Sequence, residues 1–245
     1  MKLLAWNIQH GGGARLSRIV EELSAYDADV IALTEFRAAP GKILRDELRE
    51  RGWPFVETTK PIGHENGIAV FSRTPIARLR RPTAAREHRA RWLDLHLPGY
   101  GFGVAVLHIM AAGSGKTHPT NLAKVRFWDA VIAAAEARLL RPFLFVGDWN
   151  TGAHLLDEKG RTYVCAGHFT KLSECGWIDL WRSHNSGTEW TWYSKLKSGV
   201  RGNGFRLDHA FATPSLRPRI VSCRYSHAER EAGISDHSIT IVEVL

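Results

Sequence analysis

The stretch "LFVGDWNTG", from Leu144 to Gly152, places a carboxylate and a carboxamide directly after an apolar run. The apolar residues before Gly147 are typical of a buried β-strand. Gly, Asp and Asn tolerate turn geometry, so the stretch by itself favours an ordinary turn after a strand. The polar residues elsewhere in the chain change that interpretation.

Segments of strand length alternate with helical segments on both sides of this stretch. Amphipathic spacing predicts helices in "RLSRIVEELSAYD" and "GKILRDELRERG", and the longest predicted helix is "NLAKVRFWDAVIAAAEARLL". Between Gly152 and "FRLDHAFAT" we expect mainly loops. Early strand–helix units favour an α/β arrangement, while adjacent central and terminal strands imply antiparallel pairing as well. We expect one domain over residues 1–245, with mixed sheets covered by helices.

Composition and charge restrict the class of protein. A hydrophobic fraction of 44% supports a packed core, and the formal net charge of +8 favours a polyanionic partner such as DNA. The three cysteines lack a C-x-x-C spacing, which indicates reduced thiols rather than a disulfide framework or a zinc site. No apolar run reaches the roughly 18 residues of a membrane span. We therefore expect a cytoplasmic protein that does not bind membranes.

Polar residues recur where the predicted strands end. They fall in six separate segments: Asn7, Glu35, His108, Asp148 with Asn150, Asp208, and Asp236 with His237. One such residue is typical of a turn, whereas a series of them indicates a polar cleft along one edge of a sheet. Ligand sites of α/β proteins commonly lie at that edge.

A cleft that gathers four carboxylates needs a compensating cation. Glu35, Asp148, Asp208 and Asp236 cannot all be ionised and close together without one. Oxygen and amide donors with two histidines and no cysteine suit Mg²⁺ or Mn²⁺ better than zinc. Such a metal, with carboxylates, histidines and a basic protein around it, points to hydrolysis of a phosphoester.

The motifs "WNIQ", "ALTE", "VLH", "GDWN", "RLDH" and "SDH" occur in an order that resembles the endonuclease/exonuclease/phosphatase superfamily, which has the DNase I-like fold. This resemblance covers nearly the whole chain. It implies a four-layer α/β sandwich of two mixed β-sheets flanked by helices. It also implies cleavage of phosphodiesters with a divalent metal.

The second half is most similar to exonuclease III and the apurinic/apyrimidinic (AP) endonucleases, through "DLWRSHNSGTEWTWYS" and "GNGFRLDHAFATPSL". That resemblance implies a role for each site residue. Glu35 would be the main metal ligand, with Asn7 nearby and Asp236 in support of the metal or the histidine. Asp148 would orient or activate water, Asn150 would bind a phosphate oxygen or the metal, and Asp208 would pair with His237 at the scissile phosphate. Trp192 and Phe205 would line a pocket for the sugar.

Two positions depart from the pattern of the AP endonucleases. Thr34 precedes Glu35 where those enzymes usually have Gln, and His108 stands where they usually have Tyr. A histidine at position 108 is more similar to DNase I itself, and we include His108 among the catalytic candidates.

Two basic segments remain open in their roles. "AAGSGKT" is not a P-loop, because Met110 stands where the first glycine is required, but Lys116 within it could contact a phosphate. The stretch "RLRRPTAAREHRARW", Arg78 to Trp92, suits a solvated strand edge and a phosphate contact about equally.

The leading hypothesis is a metal-dependent DNA nuclease of the exonuclease III or AP endonuclease type, acting in DNA repair as a monomer without a protein partner. The first alternative keeps the fold but takes RNA, a phospholipid headgroup or a small phosphate ester as substrate. The second alternative is a non-catalytic module that binds nucleic acid.

Overall fold

The computed structural model describes residues 1–115, 117–196 and 200–245. Its strands are β1 (Lys2–Asn7), β2 (Val30–Phe36), β3 (Phe55–Thr58), β4 (Gly67–Ser72), β5 (Ala77–Arg78), β6 (Trp92–Leu97), β7 (Phe102–His108), β8 (Phe143–Asp148), β9 (Ile178–Asp179), β10 (Trp192–Lys195), β11 (Arg201–Phe205), β12 (Asp208–Ala212), β13 (Ile220–Ser226) and β14 (Ile239–Val244). Its α-helices are α1 (Leu16–Ala25), α2 (Ala38–Glu50), α3 (Pro119–Arg138), α4 (Ala166–Glu174), α5 (Leu180–His184) and α6 (Ala228–Glu231). Short 3₁₀ turns cover Gly13–Arg15, Thr83–His88 and Arg217–Arg219.

Two six-stranded sheets form the centre of the fold. The first has the order β13-β14-β1-β2-β4-β3 and the second the order β5-β6-β7-β8-β12-β9, and β10 and β11 form a separate two-stranded ribbon. Each six-stranded sheet contains one parallel pair, β1 with β2 and β7 with β8, among antiparallel neighbours. Both sheets are therefore mixed, as the sequence predicts.

Three apolar clusters hold four layers together. One lies between the two sheets and contains Leu3, Val30, Val106 and Val146. The second packs α1 and α2 on the first sheet, and the third packs α3 and α4 on the second sheet. Strands with both faces covered are expected to be apolar throughout, which explains the near-continuous apolar runs in β1, β2, β7 and β8. The predicted four-layer α/β sandwich is thus confirmed.

Strand register brings the polar strand ends to one edge. His108 at the end of β7 and Asp208 at the start of β12 both pair with Asp148 at the end of β8. Gly147, one residue earlier, has a φ of 135°, and a Cβ there would lie 2.1 Å from the Leu107 carbonyl oxygen. Only glycine fits this close backbone approach. Asp148 therefore belongs to the strand rather than to the turn that the stretch alone favours.

The prediction of a loop-rich segment after Gly152 was wrong. The segment contains α4, β9, α5 and the ribbon strands β10 and β11. These elements are short, five residues for α5 and two for β9, so they carry little periodicity for a sequence pattern to detect. Within the described residues, no helix combines the length and the apolar character that crossing a membrane requires.

Candidate active site

Seven polar side chains from both sheets meet at one edge of the sandwich. We call them the cleft cluster: Asn7, Glu35, His108, Asp148, Asn150, Asp208 and His237. They lie at the ends of β1, β2, β7, β8 and β12 and in the segment before β14. The residues that the sequence analysis selected at separate strand ends therefore share one site.

Glu35 reaches the cleft through an irregularity in β2. The register between β2 and β4 shifts between Thr34 and Phe36, and Glu35 has a φ of 57°. Such bulges redirect a side chain out of its normal alternation. The Glu35 carboxylate accepts a hydrogen bond from the His10 amide at 2.6 Å and one from Asn7 Nδ2 at 3.4 Å. Among the described residues, no guanidinium binds this carboxylate, which lines the cleft.

Asp148 is fully buried and is held by amides. Its carboxylate accepts hydrogen bonds from Asn7 Nδ2 at 2.9 Å, from the Asn150 backbone amide at 3.0 Å and from Asn150 Nδ2 at 3.1 Å. Burial raises the pKa of Asp148 to about 7, although the neighbouring His237 acts in the opposite direction. Asn150 has a φ of 47°, which turns its amide back toward Asp148.

His237 and Asp208 form a buried ion pair, with 2.9 Å between His237 Nδ1 and Asp208 Oδ2. Burial acts to lower the pKa of His237, but the Asp208 and Asp148 carboxylates outweigh it and raise that pKa to about 10. His237 is therefore an imidazolium at neutral pH. Its other nitrogen, Nε2, lies 3.9 Å from Asp148 Oδ2 and faces the cleft.

The pKa of His108 is shifted in the opposite direction to that of His237. Burial, together with the neighbouring Arg91 guanidinium, holds the pKa of His108 well below its ordinary value. Arg91 Nη1 donates a hydrogen bond to His108 Nδ1 at 3.1 Å. His108 Nε2 lies 3.8 Å from Asp148 Oδ2 and 3.9 Å from Glu35 Oε1. The two cleft histidines thus differ in charge because their neighbours differ.

The remaining candidates lie around this cluster. Trp192 and Asp236 line the cleft, which has a volume of about 240 Å³, and Trp192 Nε1 donates to Asp236 Oδ2 at 3.1 Å. Phe205 packs beside Trp192, with 5.8 Å between ring centroids, while Leu207 contributes to the cleft wall. Lys116, a candidate phosphate contact, lies outside the described residues.

The sequence analysis missed two polar residues that line the cleft, Arg91 and Asn66, as well as the apolar Ala111 and Leu207. Arg91 stands at the end of the basic stretch, directly before β6, and Asn66 directly precedes β4. Both sit at strand starts, whereas the polar residues selected from the sequence sit mostly at strand ends. Attention to polar residues at both ends of the predicted strands would have found them.

The charges of the site suit a cation and a phosphate together. Glu35, Asp148, Asp208 and Asp236 supply four carboxylates, and the cations beside them are His237 and Arg91. Burial is the main cause of the raised pKa of Asp148, and the neighbouring Asp208 carboxylate raises it further. A hard divalent ion binds oxygen ligands, and a site with more carboxylates than cations favours such an ion electrostatically. The imidazolium and the guanidinium are suited to an anionic oxygen on the same side.

Comparison with known proteins identifies the class that this fold and site define. The sequence profile of the Endonuclease/Exonuclease/phosphatase family matches residues 4–237. The chain belongs to that family and has the DNase I-like fold.

Individual relatives share much of this chain. A DNA-(apurinic or apyrimidinic site) endonuclease of Dictyostelium discoideum is 23% identical over 235 residues, covering 90% of this chain and 64% of that protein. The structure of an AP endonuclease from Archaeoglobus fulgidus superposes with a TM-score of 0.85 at 19% identity, and the match covers 100% of this chain and 99% of that one. A Neisseria 3′ phosphatase, bound to product DNA hairpin, gives a TM-score of 0.84 at 19% identity with the same coverage. At these identities the solved structures establish the fold.

Proposed function

We propose that this protein is a divalent-metal-dependent nuclease that hydrolyses phosphodiesters in DNA, of the exonuclease III or AP endonuclease type, and that it acts in DNA repair. The observation that carries this proposal is the charge of the cleft, where four carboxylates lie beside one imidazolium and one guanidinium. The whole chain, residues 1–245, would act as one catalytic domain. A cytoplasmic location and a monomeric state remain predictions.

Glu35 is the residue best suited to hold the metal. Its carboxylate faces the cleft, accepts hydrogen bonds from the His10 amide and Asn7 Nδ2, and lies 3.0 Å from His10 Nδ1, with Asp236 nearby. Asp148, Asp208 and His237 also come within 4.8 Å of one another. His237 is a poor ligand, however, because Asp208 and Asp148 keep it protonated and a metal requires the neutral imidazole. A bound Mg²⁺ or Mn²⁺ would neutralise charge on the phosphoryl and leaving oxygens.

The side chains of the chain itself supply the other steps. Asp148, held by the amides of Asn7 and Asn150, is placed to orient water and take its proton, and its raised pKa suits a general base near neutral pH. The Asp208–His237 ion pair presents an imidazolium to a phosphate oxygen. Arg91 adds a second cation and keeps His108 neutral. Trp192 provides an apolar wall for the sugar.

DNA as the substrate is supported by several independent features. The net charge of +8 favours a polyanion. The Dictyostelium relative is named an AP endonuclease, and the Neisseria neighbour was solved with a DNA hairpin. A histidine at position 108 is more similar to DNase I than to the AP endonucleases, so an experiment must distinguish between abasic and intact DNA as substrates.

One alternative has a specific observation in its favour. The Neisseria neighbour is a 3′ phosphatase, so the same fold can present its cleft to a phosphate at a strand end. A terminal phosphomonoester of DNA is thus a second candidate substrate. RNA, lipid headgroups and a purely binding role remain further alternatives.

Turnover of labelled DNA tests the proposal. Three matched duplexes would be used: one with a single abasic site, one intact, and one with a 3′-phosphate. We expect cleavage with Mg²⁺ or Mn²⁺ and none with EDTA, and loss of cleavage in Asp148→Ala and His237→Ala. Turnover of only the 3′-phosphate would favour the phosphatase alternative. Inactivity on all three duplexes with metal present, or full activity of both variants, would overturn the nuclease proposal.

A further inference from the structure

A groove with a volume of about 250 Å³ adjoins the cleft. We call it the Tyr193 groove, and its principal residues are Gln9, Tyr193, Lys195, Arg201, Arg230 and Asp236. The ribbon β10–β11 forms one wall, and the segment between α6 and β14 forms the other. Asp236 lines both the groove and the cleft, so the two are continuous.

The charge of the groove is opposite to that of the cleft cluster. Lys195, Arg201 and Arg230 contribute three cations, and the carboxylate among the lining residues is that of Asp236, which accepts the Trp192 indole N–H. Within the described part of the chain, no carboxylate forms an ion pair with Lys195 or Arg201. Arg230 has one distant partner, Glu231, at 3.9 Å. The groove is therefore suited to an anion.

Two of these cations converge on one aromatic ring. The Arg201 guanidinium carbon lies 4.3 Å from the centroid of the Tyr193 ring, and that of Arg230 lies 4.8 Å from the same centroid. Each guanidinium gains a cation–π contact, but the two positive charges repel each other. A bound phosphate would offset that repulsion.

Arg230 is held in place by its own hydrogen bonds. Its side chain is 7% exposed, and Nη1 donates to the Trp190 carbonyl and to Ser238 Oγ, the latter at 2.9 Å. Ser238 is bonded in turn to His227, which contacts Glu189. Within the described residues, Arg230 Nε is buried and has no hydrogen-bond partner. A guanidinium fixed by such a network loses little entropy when it binds an anion.

We propose that the Tyr193 groove binds a second phosphate of the strand whose scissile phosphate occupies the cleft, so that the enzyme prefers an oligonucleotide to an isolated phosphate ester. This inference rests on the proposed nuclease function. It assigns to Lys195, Arg201 and Arg230 a role in substrate binding, separate from the chemistry at Asp148. The shared carboxylate, Asp236, marks the boundary between the two phosphates.

Steady-state kinetics on two substrates test the proposal. Bis(p-nitrophenyl) phosphate fills the cleft alone, whereas a labelled DNA oligonucleotide reaches the groove. Lys195 and Arg201 are exposed, so the double variant Lys195→Gln/Arg201→Gln avoids the risk of misfolding that Arg230→Gln carries. Lys42→Gln/Arg49→Gln, at two exposed positions on α2, is the matched control for the loss of two surface charges.

We expect the double variant to lower kcat/KM on the oligonucleotide about fivefold or more, with unchanged kcat/KM on the small diester. The slope of log kcat/KM against log salt concentration should also flatten by about 1, because the variant neutralises one fewer phosphate. Lys42→Gln/Arg49→Gln should behave as wild type on both substrates. An equal loss on both substrates, or no loss on the oligonucleotide, would overturn the groove assignment.

Failure of the groove proposal can be told apart from failure of the nuclease proposal. If the wild type cleaves neither substrate, binding of a fluorescent single-stranded DNA is measured by anisotropy, in EDTA, with the same variants. Weaker binding by the double variant alone would support the groove even without cleavage. Equal binding by all variants would overturn it. A parallel RNA oligonucleotide shows whether the groove distinguishes the two backbones.

Discussion

Two buried ionic networks in this protein differ in their balance of charge. The interior network consists of Asp157, Asp179, Arg182 and Arg206. Arg206 Nε donates to Asp157 Oδ1 at 2.6 Å, and its Nη1 donates to Asp179 Oδ1 at 3.2 Å. Arg182 also donates to Asp157. Two carboxylates therefore face two guanidiniums, and each charge has a partner within the protein.

The cleft cluster lacks this balance. Asp148 is as deeply buried as Asp157, but amides rather than guanidiniums bind its carboxylate. The consequence appears in the two pKa values. Burial raises that of Asp148 to about 7, whereas for Asp157 the Arg206 guanidinium and its neighbours outweigh burial and lower the pKa to about 2. A balanced network stabilises the fold, and an unbalanced one is suited to bind a cation and exchange a proton.

The largest expected effect of a single change is the loss of cleavage in Asp148→Asn. The amide keeps the shape of the side chain but cannot take a proton from water, so kcat should fall about a hundredfold to ten-thousandfold. The melting temperature should not fall, because the variant removes a buried charge that the fold does not pair. Single-turnover cleavage and thermal unfolding measure the two quantities.

Asp46→Asn, on the exposed face of α2, is the control for this variant and should change neither quantity. A strongly destabilised but active Asp148→Asn would mean that the cleft cluster supports the fold, as the interior network does.

Arg206→Met should produce the reverse pattern. Removal of this guanidinium leaves Asp157 and Asp179 buried without their main partner, which should lower the free energy of unfolding by about 3–5 kcal/mol. Urea unfolding at pH 7 measures this loss. At a temperature where the variant is folded, kcat should stay close to wild type. Arg224→Met on the exposed face of β13 is the control. A variant as stable as this control would show that the network adds nothing to the fold.

The sequence predicts the cleft cluster better than the interior network for a physical reason. Strand ends are visible in the sequence as the point where an apolar run stops, so the amino-acid pattern alone places Glu35 and Asp148 at one sheet edge. Asp157 and Arg206 are separated by 49 positions, and nothing in the sequence around either residue indicates that it contacts the other. Only the folded chain shows that they meet.

Arg91 marks the limit of the same method. From the sequence, the stretch Arg78 to Trp92 fits a solvated strand edge or a phosphate contact equally well. The structure shows that Arg91, near its end, contacts His108. Position 108 itself was selected from its strand end. Burial and the Arg91 guanidinium together lower the pKa of His108, and no pattern within β7 encodes that neighbour.

The pH dependence of stability should separate the two networks further. The folded pKa of Asp157 lies below its ordinary value of 3.8, so this residue stabilises the fold at every pH above that value. The contribution declines as the pH falls toward about 2. Between about pH 6 and pH 3, the stability difference between wild type and Asp157→Asn should therefore narrow by about 1 kcal/mol. Urea titrations across this range measure it, and a constant difference would contradict the pairing.

Lys124 combines a feature of each region. Its ammonium is fully buried, as in the interior network, but it donates to the backbone carbonyl of Asn150 in the cleft cluster. Burial lowers the pKa of Lys124 to about 8. The bond holds Asn150 in its positive-φ conformation, with its amide directed at Asp148. Lys124 is thus a positioning residue.

Lys124→Met keeps the volume of the side chain and removes this bond. We expect kcat to fall about fivefold to tenfold, in line with the roughly 1.5 kcal/mol that a hydrogen bond from a charged donor contributes. KM for a small diester should stay unchanged, because Lys124 touches no substrate. Lys42→Met on exposed α2 is the matched control, and a melting curve reports any loss of stability. A variant with lower stability but wild-type kcat would place Lys124 with the interior network, as a support of the fold alone.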